Sequence, residues 1–288
     1  MRSALVFGGS GQIGLPLLDL LHDDGWRVIA VSREARSDQP GLQWLRGDLD
    51  SVAGLPRQAD VVISCGPLDL FAQWYARTAF ETQRVIAFGS TSIEVKRGSS
   101  DADERDTAAR LREAERSLFE TAAGRGIGAT VLRPTLVYGA GRDRTLTRIA
   151  QVAQRFRYFA LPRGADGLRQ PVHVDDLAAA AYAAIPAVAA HGQSYALPGG
   201  ETLAYRDMIA RVLNTLRPRP KLVELPSPLF NLMLLAAHAA GHAQGFGEAA
   251  VARMRSDLTF DAAPAHRDFG YAPRPFRPTA QMFVQREI

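Results

Sequence analysis

The stretch GGSGQIG at positions 8–14 constrains this chain most, because it stands between an apolar run at 4–7 and a helical pattern of Ile13, Leu17, Leu18 and Leu21. Glycine recurs at Gly8, Gly11 and Gly14, the spacing of a chain that leaves a strand, turns tightly and starts a helix. Amides at a helix N-terminus carry partial positive charge, and glycines let a pyrophosphate approach them closely. Gln12 and Ile13 fall at that helix start and complete the expected anion cradle. Glycine-rich turns also occur with no ligand, so the surroundings decide the reading.

Those surroundings alternate. Short apolar and β-branched runs at 4–7, 27–31, 42–45, 60–64, 84–88 and 129–132 are separated by helical patterns. Six strands with helices between them predict an α/β chain with a Rossmann-type, doubly wound parallel sheet. Over 107–123, Leu111, Ala114, Leu118 and Ala122 recur at helical spacing, and Gly124 suits the end of that helix. Beyond about residue 140 the pattern loosens into helices near 145–155, 175–185 and 205–216, a strand near 194–197 and further helices in the last 60 residues. We therefore expect a dinucleotide-binding domain over 1–140, with 168–200 returning to it. A smaller, mostly helical substrate lobe would comprise 141–167 and 201–288. The polar stretch 96–106, KRGSSDADERD, reads as the most mobile segment.

The second strand ends VIAVSREAR. In a dinucleotide fold an acidic residue at that tip would hold the adenosine ribose hydroxyls, whereas an arginine would accommodate a 2′-phosphate. Here the tip is Ser32, followed by Arg33 and then Arg36, with the nearest acid, Glu34, past the usual place. NADP(H) is expected over NAD(H), unless both arginines are merely solvated. The third strand ends LRGDLD, where Asp48 would accept the adenine amino group and Leu49 would pack on the ring; the alternative for Asp48 is a loop-capping carboxylate.

With these residues in place, the chain resembles the short-chain dehydrogenase/reductase superfamily, in the extended or atypical branch that includes nucleotide-sugar epimerases and dehydratases. The resemblance rests on the glycine turn, the Asp48-Leu49 pair, FGSTSIEV at 88–95, LRPTLVYGAG at 132–141 and QPVHVDDLA at 170–178. YALPGGETLAYRDM at 195–208 resembles the segment leading into the substrate lobe. The resemblance implies a catalytic tyrosine with a lysine four residues later on one helix, the lysine lowering the phenol's pKa and binding the nicotinamide ribose.

That pair is missing from the sequence. There are two lysines: four residues before Lys96 stands Ser92, and four before Lys221 stands Arg217. In the expected helix the matching register places Thr107 and Leu111 at the two positions, and no tyrosine occurs between Tyr75 and Tyr138. The expected catalytic residues are then Ser90, at the family's serine/threonine position, and Tyr138 as substitute acid, each with a structural alternative. His173 reads as a loop-orienting residue, with Asp175 or Asp176 capping the helix that follows. No metal site is expected from scattered histidines. Seven arginines between 142 and 169 face only Asp143 and Asp166, and either form a solvated face or hold an anionic substrate.

Composition narrows the function classes. The chain has 288 residues, 47% of them apolar, enough for a sizeable core. A formal charge of +4 with so few lysines gives little support to a nucleic-acid partner. One cysteine, Cys65, excludes an intramolecular disulfide, and an expected first strand beginning almost at Met1 leaves no room for a signal peptide, so a cytoplasmic location is expected. The apolar stretch 228–241 falls short of the roughly 20 residues a membrane span requires and reads as a packed helix. Two functions fit these residues. One is an NADP(H)-dependent oxidoreductase or epimerase/dehydratase-like enzyme acting on a small carbonyl or sugar-nucleotide substrate. The other is a non-catalytic NAD(P)H-binding redox sensor or assembly protein.

Overall fold

The computed structural model describes residues 2–239 and 248–284. Residues 240 and 241 of the apolar stretch 228–241 lie outside the described residues; the part before them forms the helix Ser227–Ala239.

The six expected strands are present as β1 (Ser3–Phe7), β2 (Arg27–Ser32), β3 (Leu42–Arg46), β4 (Val61–Ser64), β5 (Arg84–Phe88) and β6 (Gly128–Pro134). A seventh, Gln193–Leu197, pairs with β6. All neighbours are parallel, in the order Gln193–Leu197, β6, β5, β4, β1, β2, β3. Every residue of β4 and β5 is buried. Such continuous burial is what a sheet covered on both faces demands, and it explains why these runs do not alternate with polar residues. The chain winds outward from β1 to β3 and then jumps back to β4 on the other side of β1. A crevice therefore opens at the C-terminal ends of β1 and β4, the place where open α/β sheets bind ligands.

Helices α1 (Gly14–Asp23), α2 (Leu68–Arg77), α3 (Ser92–Val95) and α4 (Ala102–Gly124) follow β1, β4 and β5. On one face Leu17 and Leu21 of α1 pack in the same cluster as Leu177 and Ala181 of the helix Val174–Ala184. On the other face Phe71 and Tyr75 of α2 pack with Ala114 and Leu118 of α4. A third cluster joins Tyr138, Ile149 and Leu161 to Met208, Met254, Phe276 and Phe283. The C-terminal stretch is shared: Ala265 and Tyr271 pack with the α1 side of the sheet, whereas Phe276 and Phe283 belong to the third cluster.

Buried Arg84 ties sheet and helices together. Its guanidinium donates to the carbonyls of Ala184 (3.0 Å) and Ile185 (3.2 Å) at the end of Val174–Ala184, to Gly128 O (2.8 Å) and to Thr130 Oγ1 (2.6 Å). Carbonyls at a helix C-terminus carry partial negative charge, so they can balance a cation without a carboxylate. Burial lowers the Arg84 pKa to about 10, which leaves it charged at neutral pH.

The stretch expected to be mobile is structured differently. Helix α4 begins at Ala102, because Asp101 Oδ1 accepts from the amides of Asp103 (2.9 Å) and Glu104 (3.3 Å). Glu104 also bonds Ser99 (2.7 Å) and pairs with Arg253, tethering the helix start. Side-chain acceptors of this kind satisfy helix amides that have no backbone partner.

The glycine turn is held by close backbone packing. Gly8 has φ +70, Gly11 N donates to Gly8 O at 2.9 Å, and a Cβ on Gly14 would collide with the carbonyl of Gly8 and stand 2.6 Å from that of Gly9. Gly124, by contrast, ends α4 with open space around its Cβ position. Gly14→Ala should lower unfolding stability by about 1–3 kcal/mol. Gly124→Ala should raise it by about 0.4–1 kcal/mol. Urea denaturation of the two variants checks both signs.

Candidate functional site

Around the turn, the amides of Gln12 and Ile13 donate to no protein acceptor among the described residues. They lead into α1 at the C-terminal edge of β1. Two unsatisfied amides on a glycine cradle, at the point where the strand order reverses, are the chemistry a pyrophosphate requires. The Gln12 side chain adds a buried oxygen, Oε1, with no hydrogen-bond partner.

The adenosine end of such a ligand would meet the tips of β2 and β3. Ser32 is buried and its Oγ accepts from the Glu34 amide at 3.2 Å. Arg33 is exposed. Arg36, instead, lies with its guanidinium carbon 5.2 Å from the centroid of the Trp44 ring, and its buried Nε has no partner. Trp44 in turn reaches the turn itself, its ring 3.5 Å from where a Gly9 Cβ would sit. Trp44 therefore contacts both the glycine turn and the Arg36 guanidinium, whose Nη2 also stands 3.8 Å from Glu34 Oε2. Asp48 Oδ1 accepts from the amides of Asp50 (3.0 Å) and Ser51 (2.9 Å), a loop-capping arrangement that leaves Oδ2 without a bond among the described residues. Leu49 is buried beside Gly66.

From the turn the site continues past β4. A Cβ on Gly8 would stand 3.0 Å from the carbonyl carbon of Cys65 and 3.1 Å from Gly66 N. Gly66 opens a cleft of about 230 Å³ that Phe88, Gly89, Thr107 and Leu111 also line. Thr107 and Leu111, the residues that the matching register puts in place of tyrosine and lysine, thus face one cleft at the C-terminal edge of the sheet. Thr107 Oγ1 donates to Asp103 O at 2.8 Å. The charged groups of the cleft are Asp69 and Arg110, 3.9 Å apart. One turn further along α4, buried Glu115 pairs with Arg133 of β6, which donates through Nε at 2.8 Å.

The expected catalytic hydroxyls lie apart. Ser90 follows Gly89 at the end of β5, half-buried, and its Oγ accepts from Ser92 N at 3.1 Å. Tyr138 is 1% exposed, in edge contact with His173 (centroids 5.1 Å apart) and Phe276 (4.9 Å), and does not line the cleft. Burial, with the Asp176 charge adding to it, pushes its phenol up to about 12. His173 itself caps the helix Val174–Ala184, its Nδ1 accepting from Asp175 N at 3.2 Å, while Asp176 binds Arg274 at 2.7 Å. The helix cap is therefore the imidazole rather than either aspartate.

The seven arginines do not act as one group. Arg169 is buried against the carbonyls of Leu168 and Ser256, a structural role. Arg155 lies over Phe156, 5.6 Å from its centroid. Arg142 reaches the glycine turn, donating to Ser10 O at 2.7 Å. Trp44 and Arg110 are not among the residues expected from the sequence, whereas Arg142 belongs to the arginine-rich stretch expected either to be solvated or to hold an anion. Of the first two, Arg110 carries a usable signal, since it adjoins Leu111 in the register already set.

Residues 99–197 match the model of the NAD dependent epimerase/dehydratase family. Among curated proteins, the chain is 25% identical over 255 residues to the mitochondrial NADH dehydrogenase [ubiquinone] 1 alpha subcomplex subunit 9 of Arabidopsis thaliana, with 80% of this chain aligned. The alignment spans 62% of that relative's length. It is 24% identical to 2-alkyl-3-oxoalkanoate reductase of Stenotrophomonas maltophilia (strain K279a), over 94% of each chain. Among solved structures, UDP-glucuronic acid 4-epimerase from Bacillus cereus, in complex with NAD, superposes with a TM-score of 0.70 at 13% identity, covering 99% of this chain and 97% of that one. Residues 99–197 carry the pattern of the NAD dependent epimerase/dehydratase family, and the chain as a whole shares its fold with the solved UDP-glucuronic acid 4-epimerase.

Proposed function

We propose that this chain is a nicotinamide dinucleotide-dependent enzyme of the epimerase/dehydratase type, with a non-standard proton donor, acting on a small carbonyl or sugar-nucleotide substrate. The observation that carries the reading is a continuous path: a glycine turn with two open amides, then Gly66, then a 230 Å³ cleft faced by Thr107 and Leu111. Gly8, Gly11, Gln12, Ile13 and Gly14 would hold the pyrophosphate, while Asp48 and Leu49 would bound the adenine. A bound nicotinamide would supply hydride exchange.

The protein's own groups must manage the proton. Thr107 and Ser90 are alcohols, whose pKa is too high for acid or base work near neutrality, so Ser90 is assigned to orienting a substrate carbonyl. Tyr138, enclosed by His173 and Phe276, does not line the cleft and is not assigned to that role. A water held between Asp69 and Arg110 is the simpler donor, because those are the charged groups that line the cleft. A second reading, a nucleotide-binding subunit without turnover, is favoured by the apolar Leu111 at the lysine position. The Arabidopsis relative, a subunit of NADH dehydrogenase, points the same way.

For the cofactor we assign NADP(H). The solved epimerase holds NAD, but here Ser32, Arg33 and the Trp44-supported Arg36 take the place of an acid at the β2 tip. Calorimetric titration should give tighter binding of NADPH than of NADH. Arg36→Gln should weaken NADPH alone, by about 1.5–3 kcal/mol for a charge-assisted bond to the 2′-phosphate. Equal wild-type affinities would return the assignment to NAD(H).

Turnover is tested on carbonyl and sugar-nucleotide panels with the preferred cofactor. Ser90→Ala should lower kcat by about 100-fold or less, the low end for a positioned proton-transfer group. Tyr138→Phe should hold kcat within about threefold, well short of the 100-fold or more expected for a lost general acid. A loss of that size in Tyr138→Phe, with cofactor affinity unchanged, would make the phenol the donor. Tight cofactor binding with no turnover on any substrate would favour the non-catalytic reading.

A further inference from the structure

We infer that Arg142 is a clamp on the cofactor's pyrophosphate, closing the glycine turn from the side of the C-terminal lobe; this rests on the dinucleotide reading above. The guanidinium crosses 132 positions of sequence to donate to Ser10 O, a carbonyl in the middle of GGSGQIG, at 2.7 Å. That carbonyl lies two residues from the open amide of Gln12 and three from that of Ile13. Among the described residues no carboxylate stands within ion-pair distance of Arg142, so its charge is held beside the turn without a neutralising partner.

A guanidinium has five N–H donors in a planar fork, and one bond to Ser10 leaves others to offer. Beside two open amides at the N-terminus of a ten-residue helix, such a fork fits the two phosphates of a dinucleotide. The helix end and the amides supply only partial charge, whereas a pyrophosphate carries two full negative charges. Arg142 supplies a full opposing charge. Its placement is fixed from the other direction, because the adjacent Gly141 N donates to Met282 O at 2.8 Å in the C-terminal segment. The loop carrying Arg142 therefore connects the glycine turn to the last described residues, and a pyrophosphate held by it would be gripped by both parts of the fold.

The test is calorimetric binding of NADPH, NADH and ADP-ribose to wild type, Arg142→Gln, Arg142→Lys and Arg36→Gln, with thermal melts as a folding control. ADP-ribose retains the pyrophosphate and lacks the nicotinamide. Arg142→Gln should weaken all three ligands by a common factor, on the order of 10- to 100-fold for a lost charge-assisted contact. Arg142→Lys should recover part of that loss, and the wild-type affinity should fall more steeply with salt than that of Arg142→Gln. Arg36→Gln should affect NADPH alone. Unchanged affinities in a folded Arg142→Gln would overturn the clamp while leaving the dinucleotide reading intact. Tighter binding would overturn it too, by making Arg142 a plug that the ligand must displace. A loss for NADPH and NADH but not for ADP-ribose would move Arg142 to the nicotinamide end. Wild type that binds none of the three would remove the dinucleotide reading and the clamp together.

Discussion

The missing side chain at Gly14 is the constraint on which the rest of the site depends. The first turn of α1 lies directly on the carbonyls of Gly8 and Gly9, a contact with no room for a Cβ. That approach ends β1 abruptly and starts the helix within a few residues. It also leaves the amides of Gln12 and Ile13 outside both strand and helix hydrogen bonding. The winding of the sheet then sets their position, because the reversal between β1 and β4 opens the crevice beside these amides. Backbone packing and topology thus leave a cradle of open amides with no charged side chain of its own, the feature on which the proposed pyrophosphate site rests.

Charge enters from elements distant in sequence. Arg36 lies against Trp44 of β3, Arg110 faces the cleft from α4, and Arg142 arrives from the loop after the strand Val137–Tyr138. Helix α4 illustrates how one element divides its work. Ala114, Leu118 and Ala122 are core residues, and Glu115 is buried in a pair with Arg133. Thr107, Arg110 and Leu111, nearer its N-terminus, face the cleft. An apolar side chain where the resemblance implies a lysine removes a cation from the cleft floor. A guanidinium one residue earlier restores positive charge at its rim, balanced by Asp69.

Much of the framework was legible in the sequence because it is local. The strands at β1 to β6 are short β-branched runs between turn residues, and each was placed to within two residues at either end. The glycine turn was legible for the same reason, since three glycines at fixed spacing have few structural uses. Misplaced features depended on contacts between remote segments. The polar stretch 96–106 reads as mobile until Arg253, far along the chain, is seen to hold Glu104. Tyr138 reads as a candidate acid from its motif, and only the packing of Phe276 and His173 shows how fully it is enclosed. His173 reads as a loop-orienting residue with Asp175 or Asp176 as the cap of the next helix, yet its own ring nitrogen is the cap. Trp44 gave no signal, because a tryptophan in a strand pattern is ordinarily core.

The same distinction explains how sheet and lobe are joined. Arg84 fastens the end of the helix Val174–Ala184 to β5 and β6 through carbonyls and the Thr130 hydroxyl, with no carboxylate in the contact. The strand Val137–Tyr138 then pairs with Val172–His173, just ahead of the same helix, and Tyr138 fills the third cluster from there. Immediately after Tyr138, residues 139–142 turn back toward Ser10, while Gly141 holds Met282. The buried phenol is thus an anchor for the loop that brings a cation to the glycine turn. A side chain sealed inside the third cluster fixes backbone position better than one exposed at the cleft, since any shift would open a cavity there.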